Sequence, residues 1–225
     1  MQTIPLTDKR PCMNAKITIP NKPLSTANCA AAILAGGANS RMDGKNKAFL
    51  NINGKSIFEY LVNRLNPFFM EIFVISNNPR EYLKYDLPVY SDLFTRRCSL
   101  NGVHSALTYA KAPFVFLAPC DMPFLQDGMI RLLLAEQDPK FDIIIPRTQA
   151  GYEPLCAIYS KRCLKPAARM LESDRLSIRS IFSQVRVKEI PEEKLYTADP
   201  QLASFINVNT PQDLEMARNK EKLNG

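Results

Sequence analysis

The chain has 225 residues, of which 46% are hydrophobic and 23% charged, values that are ordinary for a globular domain with a sizeable core. It contains no run of about 18 apolar residues and no signal-peptide pattern, so we predict a cytoplasmic protein that does not associate with a membrane. The net charge of +7 favours an anionic ligand, and because aromatic residues are not interleaved with the basic ones, we predict a small anion rather than a nucleic acid.

Residues 1–28 contain four prolines and no hydrophobic period, which predicts an extended or disordered arm. Residues 29–225 show no second change of composition and are predicted to form a single domain. Short apolar runs alternate there with amphipathic stretches, a pattern typical of βαβ units and a largely parallel sheet buried on both faces. Strands are predicted at 30–35, 72–76, 88–90, 114–118, 142–145, 153–158, 185–190 and 204–206, and helices at 56–66, 100–111, 125–136, 161–171, 177–183 and 211–222.

The first predicted strand leads into a loop with unusual chemistry, within the stretch AAILAGGANSRMDGKNKAFL at residues 31–50. Gly36 and Gly37 have no Cβ, so their amides can approach a ligand closely. Arg41, Lys45 and Lys47 follow and supply positive charge. The loop is therefore predicted to bind an anion, most simply the phosphates of a nucleotide.

Two common phosphate-binding motifs do not fit this loop. A Walker A motif needs G-x-x-x-x-G-K-[ST], but six residues separate Gly37 from Gly44, and Asn46 stands where a hydroxyl is required. The dinucleotide pattern G-x-G-x-x-G is also absent. The loop is therefore either a nucleotide site of another class or an ordinary connection between a strand and a helix.

Other polar residues follow predicted strands in the same way. Residues 76–78, Asp92 and Asp121 each come directly after an apolar run. Because ligands of open α/β sheets bind beyond the carboxyl ends of the strands, we expect these residues to share one site with the glycine loop.

The six cysteines include no C-x-x-C pair, and His104 is the only histidine. A Cys/His zinc site is therefore not expected, and the cysteines are predicted to be reduced thiols. We predict that Cys120 and His104 have packing roles.

The stretch LAGGANSRMDGKNKAFL resembles the signature of nucleotidyltransferases with a three-layer Rossmann-like fold and a mostly parallel central sheet. Its double glycine is similar to that of the molybdenum cofactor guanylyltransferases, the MobA family. Further segments match in order over about residues 29–220, namely VYSDLF, SLNGVHSAL, APCDMPFL, EPLCAIYS and FINVNTPQDL.

The resemblance implies transfer of GMP from GTP to the terminal phosphate of molybdopterin, with release of pyrophosphate and with Mg²⁺ as cofactor. The attacking phosphate is already an anion near pH 7, so no general base is required, and catalysis depends on positioning and charge. Transient contact with molybdoenzymes or cofactor-handling proteins is also expected.

The resemblance further assigns residues to these steps. Lys47 would contact the phosphates, Asp92 would hold the nucleoside, and Asp121 would bind Mg²⁺. The nucleotide-binding residues that it implies are Leu34, Ala35, Gly36, Gly37, Lys47, Ser76, Asn77, Asp92 and Asp121.

Catalytic charge is expected from Arg41, Lys47 and Asp121. Asn207 and Asn209 are similar to the asparagines on the side of the second substrate and the metal. Asn209 also precedes Thr210 and a proline, which together are typical of a helix start.

The sequence departs from the family pattern at three places. Arg41 is followed by Met-Asp-Gly instead of Met-Gly, Ser76 replaces an asparagine, and the Gly-Pro-Leu-x-Gly segment reads CSLNG at residues 98–102. Two other functions remain open, a cytidylyl- or sugar-phosphate nucleotidyltransferase of the same fold and a non-catalytic nucleotide- or RNA-binding module.

Overall fold

The computed structural model describes residues 28–36 and 46–208, together with Asp213 and Glu215, which are helical. The predicted arm before residue 28, most of the predicted helix 211–222, and the candidate residues Gly37, Arg41, Lys45 and Asn209 lie outside the described residues.

The described chain forms one large sheet and a small hairpin. In the large sheet the strands are ordered β10-β7-β9-β6-β1-β4-β5, with β8 paired to β7, and β2 and β3 form the hairpin. The strands are β1 (Cys29–Leu34), β2 (Asn51–Ile52), β3 (Lys55–Ser56), β4 (Ile72–Ile75), β5 (Val89–Tyr90), β6 (Phe114–Pro119), β7 (Ile143–Thr148), β8 (Gly151–Tyr152), β9 (Ile158–Ser160) and β10 (Val187–Pro191).

The predicted mostly parallel sheet is confirmed. Strands β5, β4, β1 and β6 are parallel neighbours, and β10 is parallel to β7. Strand β9 runs antiparallel to both β6 and β7. Because β9 is reversed, the residues that precede it lie at the same edge of the sheet as the residues that follow β1 and β6.

Helices cover both faces of the sheet and produce two apolar cores. Ala31 and Ile33 of β1 face one core, and Ala30 and Ala32 face the other. This two-sided burial explains why β1 consists of small apolar residues. The helices are α1 (Ile57–Leu65), α2 (Ser99–Tyr109), α3 (Asp127–Ala135), α4 (Leu164–Glu172) and α5 (Glu192–Ala198).

Two predicted strands are wrong in part or in whole. Most of the predicted strand 153–158 is a turn in which the Cys156 N–H donates to the Glu153 carbonyl at 3.1 Å, because Pro154 has no N–H for a ladder. The predicted strand 204–206 is a 3-10 helix, Ala203–Phe205. It is held by Ser204, whose N–H and hydroxyl both donate to the buried Asp199 carboxylate at 2.7 Å.

The helix predictions need smaller corrections. The predicted helix 177–183 is a 3-10 helix, Ile178–Gln184, and α5 was missed because it begins directly after a strand. Asp127 is the first residue of α3, and its carboxylate pairs with Arg64 at 2.8 Å.

Candidate active site

A cavity of about 470 Å³ opens at the carboxyl edge of the sheet. Residues after β1, β5 and β6 contribute Gly36, Asp92 and Asp121 to its wall, as predicted from their positions after strands. The turn before β9 contributes Glu153, and the segment 206–208 contributes Asn207. One cavity therefore collects these residues from five separate parts of the chain.

Asp121 is held at the centre of this edge by backbone hydrogen bonds on both sides. The Cys120 N–H donates to the Leu34 carbonyl at 3.0 Å, and the Val208 N–H donates to the Asp121 carbonyl at 2.9 Å. These bonds place Asp121 beside both the end of β1 and Asn207. Burial raises the pKa of the Asp121 carboxyl, and the positive charge of Lys47 acts in the opposite direction.

Asp92 lies close to Gly36, on the side of β1 away from Asp121. The Asn77 side-chain amide donates to Asp92 Oδ2 at 3.0 Å, and the Asp92 N–H donates to Asn77 Oδ1 at 3.1 Å. A Cβ built on Gly36 would lie 3.5 Å from the same Oδ2. The second carboxylate oxygen, Oδ1, is buried and has no hydrogen-bond partner among the described residues. Burial raises the pKa of the Asp92 carboxyl, and the neighbouring Asn77 side chain acts in the opposite direction.

The predicted contact at Ser76 lies below the cavity surface. Ser76 is buried, and its hydroxyl oxygen accepts a hydrogen bond from the Asn78 N–H at 3.1 Å. It shapes the turn after β4, whereas the neighbouring Asn77 is exposed and holds Asp92.

Lys47 begins a short 3-10 helix, Lys47–Phe49, which Asn46 anchors. The Asn46 side chain accepts a hydrogen bond from the Ala48 N–H at 3.1 Å and donates one to the Tyr82 hydroxyl at 3.0 Å. The charge of Lys47 acts to lower the pKa of both Asp121 and Cys120. Lys47 is therefore within electrostatic reach of the site's central carboxylate.

Two charged residues of the wall were not singled out from the sequence. The exposed guanidinium of Arg97 and the half-buried carboxylate of Glu153 both line the cavity. Neither side chain has an ion pair or hydrogen bond with the described residues. Glu153 is the first residue of the EPLCAIYS segment, where it is a single acidic residue before a proline in an apolar stretch. That pattern is the sequence feature by which Glu153 could have been selected as a site residue.

Cysteine chemistry does not explain the site. Cys98, Cys120 and Cys156 line the cavity, and burial raises the pKa of the Cys120 thiol to about 12. A neutral, buried thiol packs as a small apolar group, as predicted for Cys120. The five cysteines in the described part of the chain are free thiols.

The oxygen ligands at this edge match a hard cation. Within the described residues, no group of three or more His, Cys, Asp or Glu side chains could hold a metal ion. Mg²⁺ needs only one or two protein carboxylates where phosphates and waters supply the remaining ligands. Asp121, which is desolvated and faces the cavity, fits that requirement.

A mostly parallel sheet with a charged cavity at its carboxyl edge is the architecture of Rossmann-like nucleotidyltransferases, and the comparisons with known proteins place the chain in that class of enzyme. Residues 31–189 match the family model of the MobA-like NTP transferase domain. The chain belongs to the MobA-like NTP transferase family, which confirms the resemblance found in its sequence.

Relatives and a solved structure agree with this assignment. The molybdenum cofactor guanylyltransferase of Desulfosudis oleivorans is 36% identical over 82% of this chain and 92% of its own length. A probable molybdenum cofactor guanylyltransferase of Natranaerobius thermophilus is 37% identical over 86% of this chain and 96% of its own. The crystal structure of molybdopterin-guanine dinucleotide biosynthesis protein A from Archaeoglobus fulgidus has a TM-score of 0.75 at 27% identity, covering 86% of this chain and 99% of that one.

None of the helices in the described ranges is long and apolar enough to cross a membrane.

Proposed function

We propose that this nucleotidyltransferase transfers GMP from GTP to the terminal phosphate of molybdopterin, forming the guanine dinucleotide and pyrophosphate with the help of Mg²⁺. The observation that carries the proposal is the placement of Gly36, Asp92 and Asp121 around one cavity. Relatives at 36–37% identity that bear the guanylyltransferase name support the choice of substrates.

The nucleotide is proposed to lie between the glycine loop and Asp92. Residues 34–37 would wrap the guanine and phosphates, because a backbone without a Cβ at Gly36 permits close approach. The Asp92 carboxylate, which lines the cavity beside Gly36, would accept a hydrogen bond from a ribose hydroxyl, while Asn77 keeps it in place.

The reacting phosphates are proposed to lie at Asp121. Asp121 would hold Mg²⁺, which when bound draws charge from the phosphate oxygens. Lys47 would add a fixed positive charge on the same side, with Arg41 contributing from the loop. Asn207, fixed next to Asp121 by the Val208 hydrogen bond, and Asn209 would orient the second substrate.

The proposed chemistry is a direct displacement. An oxygen of the acceptor phosphate bonds to the α-phosphorus of GTP, the bond to the β-phosphate bridging oxygen breaks, and pyrophosphate leaves with that electron pair. The acceptor is already ionised, so no side chain has to remove a proton. This agrees with a cavity wall that contains carboxylates and an arginine but no histidine.

The function is tested by comparing GTP with CTP on the purified protein. We expect GTP with Mg²⁺ to raise the melting temperature more than CTP, and pyrophosphate to be released only when molybdopterin is also present. Stronger protection by CTP would indicate a cytidylyltransferase. Salt-sensitive RNA binding without pyrophosphate release would indicate the non-catalytic alternative.

Replacing Lys47 by alanine is expected to lower turnover by about 10²-fold or more, the usual effect of removing one preorganised charge-stabilising group. The measurement is the rate of pyrophosphate release at saturating GTP and Mg²⁺. Lys165→Ala removes an exposed lysine from α4 and should leave the rate unchanged. Lys45→Ala should have a much smaller effect than Lys47→Ala, and the reverse order would contradict the proposed alignment of the loop.

A further inference from the structure

The turn that carries Glu153 is a fixed part of the cavity wall. The Glu153 N–H donates to the Pro146 carbonyl at 3.0 Å, and its own carbonyl accepts from Cys156 at 3.1 Å. On the next residue, the Tyr159 hydroxyl donates to the Pro154 carbonyl at 2.7 Å. The backbone is therefore held at both ends, and the Glu153 side chain is presented to the cavity from a defined position.

The Glu153 carboxylate has no internal role that would explain its burial. It is half-buried, and no described residue gives it a hydrogen bond or a salt bridge. Burial alone raises its pKa. An acid that is partly removed from water without a partner destabilises the unliganded fold, so its presence in a cavity indicates a bound group that compensates it.

The order of the strands places Glu153 away from the proposed nucleotide site. Gly36 follows β1, and Asp92 follows β5, which lies beyond β4 on one side of β1. Asp121 follows β6 on the other side of β1, and Glu153 precedes β9, which lies beyond β6. Asp121 therefore lies between the proposed nucleotide residues and Glu153. Glu153 faces the half of the cavity that remains for the second substrate.

The chemistry of a carboxylate limits what Glu153 can recognise there. It would repel the acceptor's phosphate, so it has to meet a different part of that molecule. A carboxylate accepts two parallel hydrogen bonds well from a pair of adjacent N–H groups, as it does from a guanidinium. The pterin ring of the proposed acceptor carries such a pair, its 2-amino group and the neighbouring ring N–H.

We propose that Glu153 is a specificity-determining residue that binds the acceptor's heterocycle through these two N–H donors. The proposal rests on the proposed function, because it takes the acceptor to be a pterin phosphate. It adds a residue and a contact that set which acceptor is used, without any part in nucleotide binding.

The test uses the full-length protein and two fluorescent probes, 6-hydroxymethylpterin monophosphate and its 2-oxo counterpart, in which the amino donor is replaced by an oxygen. The unmodified protein should prefer the pterin. Glu153→Gln, which replaces one acceptor oxygen by an NH₂ donor, should bind the pterin about 10- to 100-fold more weakly, the expected effect of losing a charge-assisted hydrogen bond.

Glu153→Gln should also lose the preference for pterin over the 2-oxo probe, while its affinity for GTP with Mg²⁺ changes by less than about twofold. Glu153→Asp, which keeps the charge, should recover part of the preference. Glu193→Gln makes the same chemical change at an exposed position of α5 and should behave like the unmodified protein.

Each other result overturns the inference in a recognisable way. Unchanged pterin binding by a folded Glu153→Gln protein would show that the carboxylate is not used. A fall in GTP affinity, or a shift in Mg²⁺ dependence, would place Glu153 on the nucleotide or the metal instead. If the unmodified protein binds GTP but neither probe, the acceptor class of the proposed function is wrong, and this inference is wrong with it.

Discussion

Asp121→Asn is expected to abolish Mg²⁺-dependent pyrophosphate release while leaving the free energy of unfolding within about 1 kcal/mol of its original value. The amide keeps the shape of the side chain, so the Cys120–Leu34 and Val208–Asp121 backbone bonds can persist. It removes the anionic oxygen that a hard cation prefers. Activity and stability should therefore respond separately to this substitution.

The direction of the stability change follows from the pKa of Asp121. Burial raises this pKa in the folded protein, so above the ordinary pKa of aspartate the ionised group destabilises the fold. Asparagine removes that effect, and the unliganded variant should be as stable as the original or slightly more so near neutral pH. The small difference should disappear as the pH falls below the ordinary pKa of aspartate.

The measurement combines a Mg²⁺ titration of turnover with a denaturant melt of the same preparation. Asp86→Asn is a matched control, because Asp86 is exposed, lies outside the cavity and has a φ of 51°, which asparagine tolerates well. Normal activity in a folded Asp121→Asn protein would refute the metal role. Loss of the folded state would show instead that Asp121 is structural.

Gly128→Ala is expected to lower the free energy of unfolding by about 3 kcal/mol or more, at the upper end of the usual effect of overpacking. A Cβ at Gly128, in the first turn of α3, would lie 2.2 Å from the carbonyl oxygen of Ala198 at the end of α5. One atom is a Cβ fixed to the backbone of α3 and the other is a backbone oxygen, so no flexible side chain can move aside. The two helices would have to separate.

The direction of the change in the free energy of unfolding distinguishes Gly128 from an ordinary helical glycine. In an exposed helix, replacing glycine by alanine stabilises the protein by about 1 kcal/mol. Gly102→Ala in α2 is the control, since its Cβ would meet only Leu34 side-chain carbons at 3.6 Å. Urea unfolding of the two variants should give opposite changes in stability. An equal or stabilising result for Gly128→Ala would contradict the close approach of α3 and α5.

The sequence predicted the parallel half of the sheet well, because its strands are short apolar runs with polar residues directly after them. The runs that became β1, β4 and β6 were placed to within one residue at each end. Where local pattern and tertiary contact disagree, prediction failed. Residues 204–206 have the apolar character of a strand, but the buried bond from Ser204 to Asp199 imposes a 3-10 helix.

Part of the candidate site was also predictable, because several of its polar residues directly follow apolar strands. Because ligands bind beyond the carboxyl ends of parallel strands, the sequence alone predicted that Gly36, Asp92 and Asp121 share one site. That rule gives no signal for Glu153, which precedes an antiparallel strand. It gives none for Arg97 either, which reaches the cavity from the loop before α2.

The reversed direction of β9 has a consequence for how such enzymes can diversify. Because β9 enters from the cavity edge, the turn before it can change in length or sequence while the parallel strands keep their register. The proposed nucleotide residues follow β1, β5 and β6, so they are encoded apart from that turn. The proposed nucleotide site can therefore stay the same while the acceptor site changes. The turn at residues 153–157 is accordingly the segment in which substitutions or insertions would alter the acceptor preference of this fold.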